Sequence, residues 1–133
     1  MDEQVNIPEG LALLAQTAIN ALFAKLSGVK ALVVASVDGF SVASHSVIDI
    51  DANKVAAMAS SFSALGVVVA EESHMGNKKV VTLEAADGYV ILLDIPRPDY
   101  PLVLSITASS DTILAQTLYL ARETITQIQQ ACI

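Results

Sequence analysis

The 133-residue chain is predicted to fold as one α+β domain, an antiparallel sheet with helices on both faces. Asp-Gly pairs between apolar runs, at Asp38-Gly39 and Asp87-Gly88, mark two hairpins. The uninterrupted runs Ala31–Ala35 and Val90–Leu93 are typical of strands that are covered on both faces. No repeat or linker divides the chain. We therefore expect a single domain over residues 8–133, preceded by a frayed polar lead, residues 1–7.

The first helix and the first hairpin follow each other directly. Pro8 suits the first turn of a helix, and apolar residues then recur at helical spacing as far as Leu26. The run Ala31–Ala35 predicts a central strand, and the alternation over Phe40–His45 predicts an edge strand. Asp38-Gly39 is expected at the centre of a tight primed turn, where both residues need a positive φ.

A second helix is predicted over Ala52–Glu72, with Asp51 as its N-cap. No charged residue occurs from Val55 to Ala70, so this helix has no polar face of the usual kind. At ~100° per residue its residues divide into two apolar faces. One face contains Val55, Met58, Ala59, Phe62, Leu65 and Val69; the opposite face contains Ala56, Ala57, Ser60, Ala64, Val67 and Val68.

The second half of the chain predicts three strands and a helix. The charges in Lys78–Ala85 indicate an edge strand, whereas Tyr89–Ile95 has the composition of a central strand. Leu102–Thr107 alternates as a fifth strand, and Ser110 or Asp111 is expected to cap the last helix. The order is therefore α-β-β-α-β-β-β-α, with the three helices divided two against one between the sheet faces.

Composition excludes several classes of partner. The chain is 53% hydrophobic and only 16% charged, which favours self-association as a way of covering apolar surface. Its net charge of −7 argues against binding nucleic acid through phosphates and against an anionic membrane surface. Its apolar runs fall short of the ~20 residues that a membrane span needs, so no membrane insertion is expected.

The residue inventory gives no sign of a cofactor, a metal or an active site. The single cysteine, Cys132, permits no intrachain disulfide, which fits a reducing, cytoplasmic compartment. His45 and His74 lack the companions that a zinc site requires. Neither a phosphate-binding glycine loop nor a nucleophile elbow occurs, so we expect no cofactor and no enzyme activity of the chain's own.

This succession of elements resembles the Roadblock/LC7 family, which includes dynein light chains and prokaryotic regulators of Ras-like GTPases. The likeness extends from about Leu11 to Ile128 and lies in the order of its elements. The segments that carry it are the hairpin Gly28–Ala43, the helix Asp51–Glu72, the hairpin Val80–Leu93 and the strand Leu102–Thr107. The resemblance implies a five-stranded antiparallel sheet with the first and last helices on one face and the middle helix on the other.

The resemblance also implies a mode of assembly and a kind of partner. Family members usually dimerise through the middle helix and the third strand, which gives a continuous ten-stranded sheet. Prokaryotic members are often encoded with small GTPases and act as their activators or effectors. They generally supply no obvious catalytic arginine and are not enzymes alone.

We accordingly predict a dimer interface on the middle helix and the third strand. Small side chains on an uncharged helix face permit close approach of a second helix; an alternative is that the helix is buried within its own protomer. In an antiparallel pair crossing near Phe62-Ser63, Lys54 of one copy would approach Glu71 of the other. The third strand either pairs across the dimer or is an edge protected by its lysines. The predicted contacts are Lys54, Ala56, Ala57, Ser60, Ala64, Val67, Glu71, Lys79, Val81 and Leu83.

Arg97 is the remaining candidate for chemistry. It lies between two prolines in a predicted loop, so its side chain is expected to be exposed. An arginine supplied by a partner protein can neutralise charge during GTP hydrolysis. A solvated loop arginine is the simpler interpretation, and we favour it over contact with a partner.

Three functions remain open from the sequence. The first is a homodimeric regulator that binds a small Ras-like GTPase and modulates its nucleotide cycle, which requires different affinities for the nucleotide states. The second is a dimeric, non-catalytic adaptor of the light-chain type. The third is a small-molecule sensor, for which fold analogy is the only argument.

Overall fold

The structure, a computed structural model, describes residues 7–133. The predicted order of three helices and five strands is confirmed. The predicted frayed lead lies outside the described residues except for Ile7, which packs half-buried against the core. The elements are α1 (Leu11–Lys25), β1 (Val29–Ser36), β2 (Ser41–Ser46), α2 (Ala52–Glu72), β3 (Val81–Ala85), β4 (Gly88–Ile95), β5 (Leu102–Ser109) and α3 (Leu114–Gln130).

The five strands form one antiparallel sheet in the order β2-β1-β5-β4-β3. Helices α1 and α3 pack together on one face, and α2 crosses the other face, as the resemblance implies. The strands alternate between these two covers. On β5, for example, Leu102, Leu104 and Ile106 belong to the core beneath α1 and α3, whereas Val103 belongs to the cluster beneath α2.

The first hairpin turns by a different geometry from the predicted one. The amide of Gly39 donates to the carbonyl of Ser36 (3.0 Å), and the amide of Ser36 donates to the carbonyl of Phe40 (2.8 Å). Gly39 has a φ of 94°, but Asp38 does not have a positive φ. The connection is therefore a turn followed by a left-handed glycine that forms a bulge, and the predicted primed turn is wrong.

In the second hairpin the Asp87-Gly88 pair is divided between the loop and the strand that follows it. Ala85 pairs with Gly88, so the loop consists of Ala86 and Asp87, and Gly88 is the first residue of β4. A side chain at position 88 would collide with the carbonyl oxygen of Ala108 on β5. Glycine is required there by the close approach of β5. Asp87 therefore lies in the turn, as predicted, whereas Gly88 begins the strand that follows it.

The N-cap of α2 is the predicted residue, whereas the N-cap of α3 is not. The Asp51 carboxylate accepts hydrogen bonds from the amides of Asn53 (3.1 Å) and Lys54 (3.2 Å), as an N-cap does. The N-cap of α3 is Ile113, which provides no side-chain hydrogen bond. Asp111 does not cap this helix because its carboxylate accepts from Ser109 Oγ within the preceding turn.

Candidate functional site

Helix α2 contacts the sheet through its smallest side chains. Ala56 is completely buried against Val33 and Ala35 of β1, and Ala59 packs on Leu92 and Val103. Small residues at these positions let the helix lie close to the strands. The prediction that Ala56 contacts a second copy is therefore wrong, because this side chain is enclosed within its own protomer.

The flank of α2 that faces β3 is a large apolar surface. It consists of Met58, Phe62, Leu65 and Val69, and each of these side chains is more than half exposed. The same flank borders Val81 of β3 across an apolar cleft. A row of four large exposed apolar residues on one helix marks an interaction surface. We call these four residues the β3 flank.

The opposite flank of α2 borders the β1–β2 turn. Ala57 and Ser60 lie beside Gly39, and Ala64 and Val67 line a cleft with Val37. Ala57, Ala64 and Val67 are exposed, as an interface would require, and Ser60 is half-buried. This flank faces away from β3, however. The structure therefore does not bring the predicted helix face and the predicted strand together on one side of the molecule.

Strand β3 forms one edge of the sheet and, within residues 7–133, pairs with β4 alone. Val81 is half-buried, Leu83 is 53% exposed, and both lie on the α2 side of the sheet beside the β3 flank. Lys79 is exposed just before the strand and lines the groove that continues along α2. The outer edge of β3 is available for pairing with a further strand.

The other edge strand, β2, is capped at one residue, Ser44, by a side chain of α1. Gln16 of α1 donates from Nε2 to the carbonyl of Ser44 (2.8 Å) and accepts from the amide of Ser44 at Oε1 (3.2 Å). Beside it, His45 Nδ1 is 2.8 Å from Asn20 Oδ1, and the imidazole stacks on Phe23. The side-chain amide replaces a neighbouring strand at this position, so the two edges of the sheet differ in their readiness to pair.

Lys78 anchors the segment that leads into β3. Its ammonium group donates to the carbonyl of Ser63 (3.0 Å), to Ser63 Oγ and to Asp94 Oδ1 (3.1 Å). Its aliphatic chain passes over Gly66, where a Cβ would lie 2.9 Å from Lys78 Cδ. Lys78 is therefore a buried anchor rather than a solvated residue of the edge strand, and β3 begins at Val81.

The charged ends of α2 lie on one line along the helix. Lys54 and Glu72 are exposed and eighteen residues apart, which is five full turns at ~100° per residue. Glu71 lies ~100° away from that line. The line passes close to Met58 and Leu65 of the β3 flank, so Glu72 rather than Glu71 is in line with Lys54. Lys54 near the N-terminus of the helix and Glu72 at its C-terminus both interact unfavourably with the helix dipole. A nearby group of opposite charge would stabilise each of them.

Arg97 has a structural role and is not a surface residue. It is 5% exposed, and its guanidinium donates to both carboxylate oxygens of Asp99 and to the carbonyls of Ile128 (2.7 Å) and Ala131 (2.8 Å). The hydrogen bond with Asp99 raises the pKa of Arg97 and lowers that of Asp99. Both predicted alternatives, contact with a partner and a solvated loop arginine, are wrong because this side chain binds the end of α3.

Two further findings concern the surroundings of the site. By length and composition, α2 alone among the described helices could cross a membrane, but core helices of soluble proteins meet the same criterion. It packs on the sheet here. Within residues 7–133, no three His, Cys, Asp or Glu side chains are grouped so that they could hold a metal ion.

Comparisons with solved structures agree on the fold. A Roadblock/LC7 domain from Streptomyces avermitilis superposes with a TM-score of 0.77 at 17% identity, over 86% of this chain and 93% of that one. MglB from Myxococcus xanthus gives 0.78 at 14% identity, over 93% and 91%. The gliding protein MglB from Thermus thermophilus gives 0.78 at 8% identity, over 93% and 92%. No curated protein sequence matches significantly.

The sequence itself matches a family model. The Roadblock/LC7 domain model covers residues 16–97, which include most of α1, the first hairpin, all of α2 and the strands β3 and β4. This match covers more than half of the chain, and the fold comparisons extend the similarity to β5 and α3. The chain belongs to the Roadblock/LC7 domain family.

Proposed function

We propose that this chain is a cytoplasmic, homodimeric regulator that binds a small Ras-like GTPase and modulates its nucleotide cycle, without an active site of its own. At the level of the family, Roadblock/LC7 domains are regulatory adaptors of small GTPases rather than classical enzymes. One of the similar structures is described as MglB in a tetrameric arrangement, so self-association occurs in a protein of this fold. Dimerisation and the GTPase partner are our extension to this chain.

The observation that carries the proposal is the continuous apolar surface formed by the β3 flank and the free edge of β3. Pairing of β3 with β3 of a second copy in antiparallel fashion would extend the sheet to ten strands. The same two-fold axis would place both α2 helices on one sheet face, with their β3 flanks opposed. One operation would therefore cover the exposed apolar side chains and satisfy the open strand edge.

This arrangement assigns the seam to a revised set of residues. Lys54, Lys79, Val81 and Leu83 remain from the sequence prediction. The β3 flank and Glu72 replace the opposite flank and Glu71. Ala57, Ser60, Ala64 and Val67 would then remain on the outside of the dimer, as a small-residue surface that a further protein can reach.

The proposed action on a GTPase is indirect. Arg97, the arginine considered above as a trans-acting group, is hydrogen-bonded to Asp99 and to the end of α3. The regulator would therefore work by binding the nucleotide states of the GTPase with different affinities, and the GTPase would supply the chemistry. A dimeric adaptor that binds without changing turnover is the second candidate, favoured by the same family membership.

The test uses the small Ras-like GTPase encoded nearest to this chain in its genome. Its GDP-bound form and its form with a non-hydrolysable GTP analogue are titrated with the wild-type chain by calorimetry, and GTP hydrolysis is measured separately. The proposal predicts at least a tenfold difference in Kd between the two forms, equivalent to about 1.4 kcal/mol, and an altered hydrolysis rate. Equal affinities with unchanged hydrolysis would leave the adaptor instead, and no binding to either form would overturn both.

A further inference from the structure

A polar cleft lies between the end of α1 and the start of α3. Its volume is about 240 Å³. Lys25, the last residue of α1, lies on one wall, and Gln116 and Thr117 of α3 lie on the other. The amide of Ser109 donates to the carbonyl of Gly28 (2.8 Å), which fixes the α1–β1 connection against the end of β5. None of the lining residues belongs to the proposed dimer seam, so the cleft is complete in one protomer.

Two lysines give this cleft a positive charge. Lys25 and Lys30 both line it and are exposed, and neither forms an ion pair within residues 7–133. Asp111 is the one acidic residue among the lining residues, all of which belong to the described part of the chain. Its carboxylate accepts a hydrogen bond from Ser109 Oγ, which lowers the pKa of Asp111 and keeps it ionised. Two lysines and one aspartate leave an excess of one positive charge, which a monoanion would neutralise.

Thr117 brings a hydroxyl without a partner to the cleft. The residue is only 2% exposed, and among the described residues its Oγ1 atom has no hydrogen-bond partner, whereas Thr126 of the same helix donates to the carbonyl of Arg122 (3.0 Å). Ser105 Oγ is the one side-chain atom of the described residues that is both enclosed and unpartnered, so Thr117 Oγ1 is reached from the cleft that its residue lines. An acceptor that enters the cleft would satisfy this hydroxyl.

The start of α3 adds further donors. Its N-cap, Ile113, provides no side-chain hydrogen bond, so the first amides of the helix are left to other acceptors, and the helix dipole favours a negative charge beside them. Leu26, Ile113 and Leu120 give the rest of the cleft an apolar lining. The volume corresponds to roughly eight waters of liquid, since each takes about 30 Å³. The occupant that fits is therefore a small anion with an aliphatic part.

We propose that this cleft binds the carboxylate of a small aliphatic acid, whose oxygens accept a hydrogen bond from Thr117 Oγ1 and lie beside Lys25 and Lys30. A phosphate group offers the same kind of acceptor, but it carries about −1.5 to −2 at pH 7 and would be repelled more strongly by Asp111. The site goes beyond GTPase regulation and does not depend on it, because its residues come from one protomer and lie outside the seam.

The first experiment compares two probes that differ in charge alone. Isovalerate and isovaleramide have the same shape and the same number of non-hydrogen atoms, but only isovalerate is an anion. Binding to the full chain is followed at pH 7 and constant ionic strength by shifts of the Gly28, Gln116 and Thr117 amide signals in NMR titrations. We expect saturable shifts with isovalerate and an affinity at least tenfold weaker for isovaleramide, because charge-assisted hydrogen bonds are the stronger ones.

The variant Thr117→Val removes the hydroxyl and keeps the shape of the side chain. It should weaken isovalerate binding about tenfold without lowering the melting temperature, because the hydroxyl has no partner to lose within the described structure. Thr124→Val, the same change at the other buried threonine of α3, lies outside the cleft and should leave the affinity unchanged. A Thr124→Val variant that weakened binding as much as Thr117→Val would overturn the assignment.

The lysines are tested at the surface, where folding is not at risk. Lys30→Gln should weaken isovalerate binding about three- to fivefold, as the loss of one exposed charge allows, and leave isovaleramide unaffected. Arg122→Gln removes the same charge from an exposed residue of α3 outside the cleft and should change the affinity less than twofold. Equal binding of isovalerate and isovaleramide, equal effects of Lys30→Gln and Arg122→Gln, or tighter binding of inorganic phosphate than of isovalerate would each overturn the carboxylate site.

Discussion

The guanidinium of Arg97 joins two segments that are 31 to 34 residues apart in the chain. It donates hydrogen bonds to the carbonyl of Ile128, in the last turn of α3, and to the carbonyl of Ala131, just after the helix. Carbonyls at a helix C-terminus have no partner within the helix. Asp99 fixes the guanidinium from the other side through a paired hydrogen bond. A single charged residue therefore closes the C-terminal end of the α1/α3 layer.

The replacement Arg97→Ala is expected to lower the free energy of unfolding by about 2–3 kcal/mol, since it removes charge-assisted hydrogen bonds and leaves buried carbonyls unpaired. Thermal or urea unfolding measures this loss. Arg122→Ala, which removes an exposed arginine from the same helix α3, is the matched control and should change stability by less than about 0.5 kcal/mol. Equal effects of the two replacements would contradict the structural role.

The ion pair between Arg97 and Asp99 predicts that stability depends on pH. Arg97 lowers the pKa of Asp99, so the folded chain holds this carboxylate ionised at a lower pH than the unfolded chain does. The resulting stabilisation is complete above the ordinary carboxyl pKa of about 3.9 and is lost as pH falls through the lowered value. The stability difference between wild type and Arg97→Ala should therefore narrow in acid, and a difference that widened would contradict this sign.

At the scale of elements, the sequence predicted where α2 begins and ends but not which way it faces. Asp51 and the uncharged run define its bounds, since a cap and a hydrophobic period are local signals. Its orientation depends on which side chains let it approach the sheet most closely, and Ala56 and Ala59 do so because they are small. A helix that is apolar on every side gives no periodic signal of that choice.

The hairpins show the same division between local and non-local causes. Both were predicted at the correct places, because an Asp-Gly pair between apolar runs is a local signal. The position of Gly88 relative to its turn depends on how closely β5 approaches, and β5 lies fourteen or more residues further along the chain. The burial of Arg97 was missed for this reason too, although Asp99 two residues away was a visible signal of an ion pair.

Replacement of Phe62 distinguishes the two flanks of α2. Phe62→Glu places a carboxylate at the centre of the proposed seam and should shift the chain from dimer to monomer in sedimentation velocity, with a Kd raised at least a hundredfold. Ala64→Glu places the same charge on the opposite flank and should leave the dimer intact. A monomeric Ala64→Glu with a dimeric Phe62→Glu would restore the face that was first predicted from the sequence.

At the scale of the whole molecule, net charge and shape act together. The chain carries a charge of −7, so two copies repel each other unless local contacts oppose that repulsion. The β3 flank offers apolar contact, and its two ends offer opposite charges at Lys54 and Glu72. In an antiparallel pair of α2 helices, each end of one copy lies opposite the complementary end of the other. Only the antiparallel arrangement pairs unlike charges, so the charges specify orientation more than affinity.

Charge reversal at these two positions tests the arrangement. Lys54→Glu alone should weaken the dimer by up to about thirtyfold, because a two-fold axis repeats each rim pair and each of the two pairs contributes about 1 kcal/mol or less. Adding Glu72→Lys should restore the wild-type Kd, whereas adding Glu71→Lys, one residue away but ~100° around the helix, should restore less. The differences should shrink at 1 M salt, where charges are screened beyond about 3 Å. Full rescue by Glu71→Lys and none by Glu72→Lys would mean that the helices meet along another line than the β3 flank.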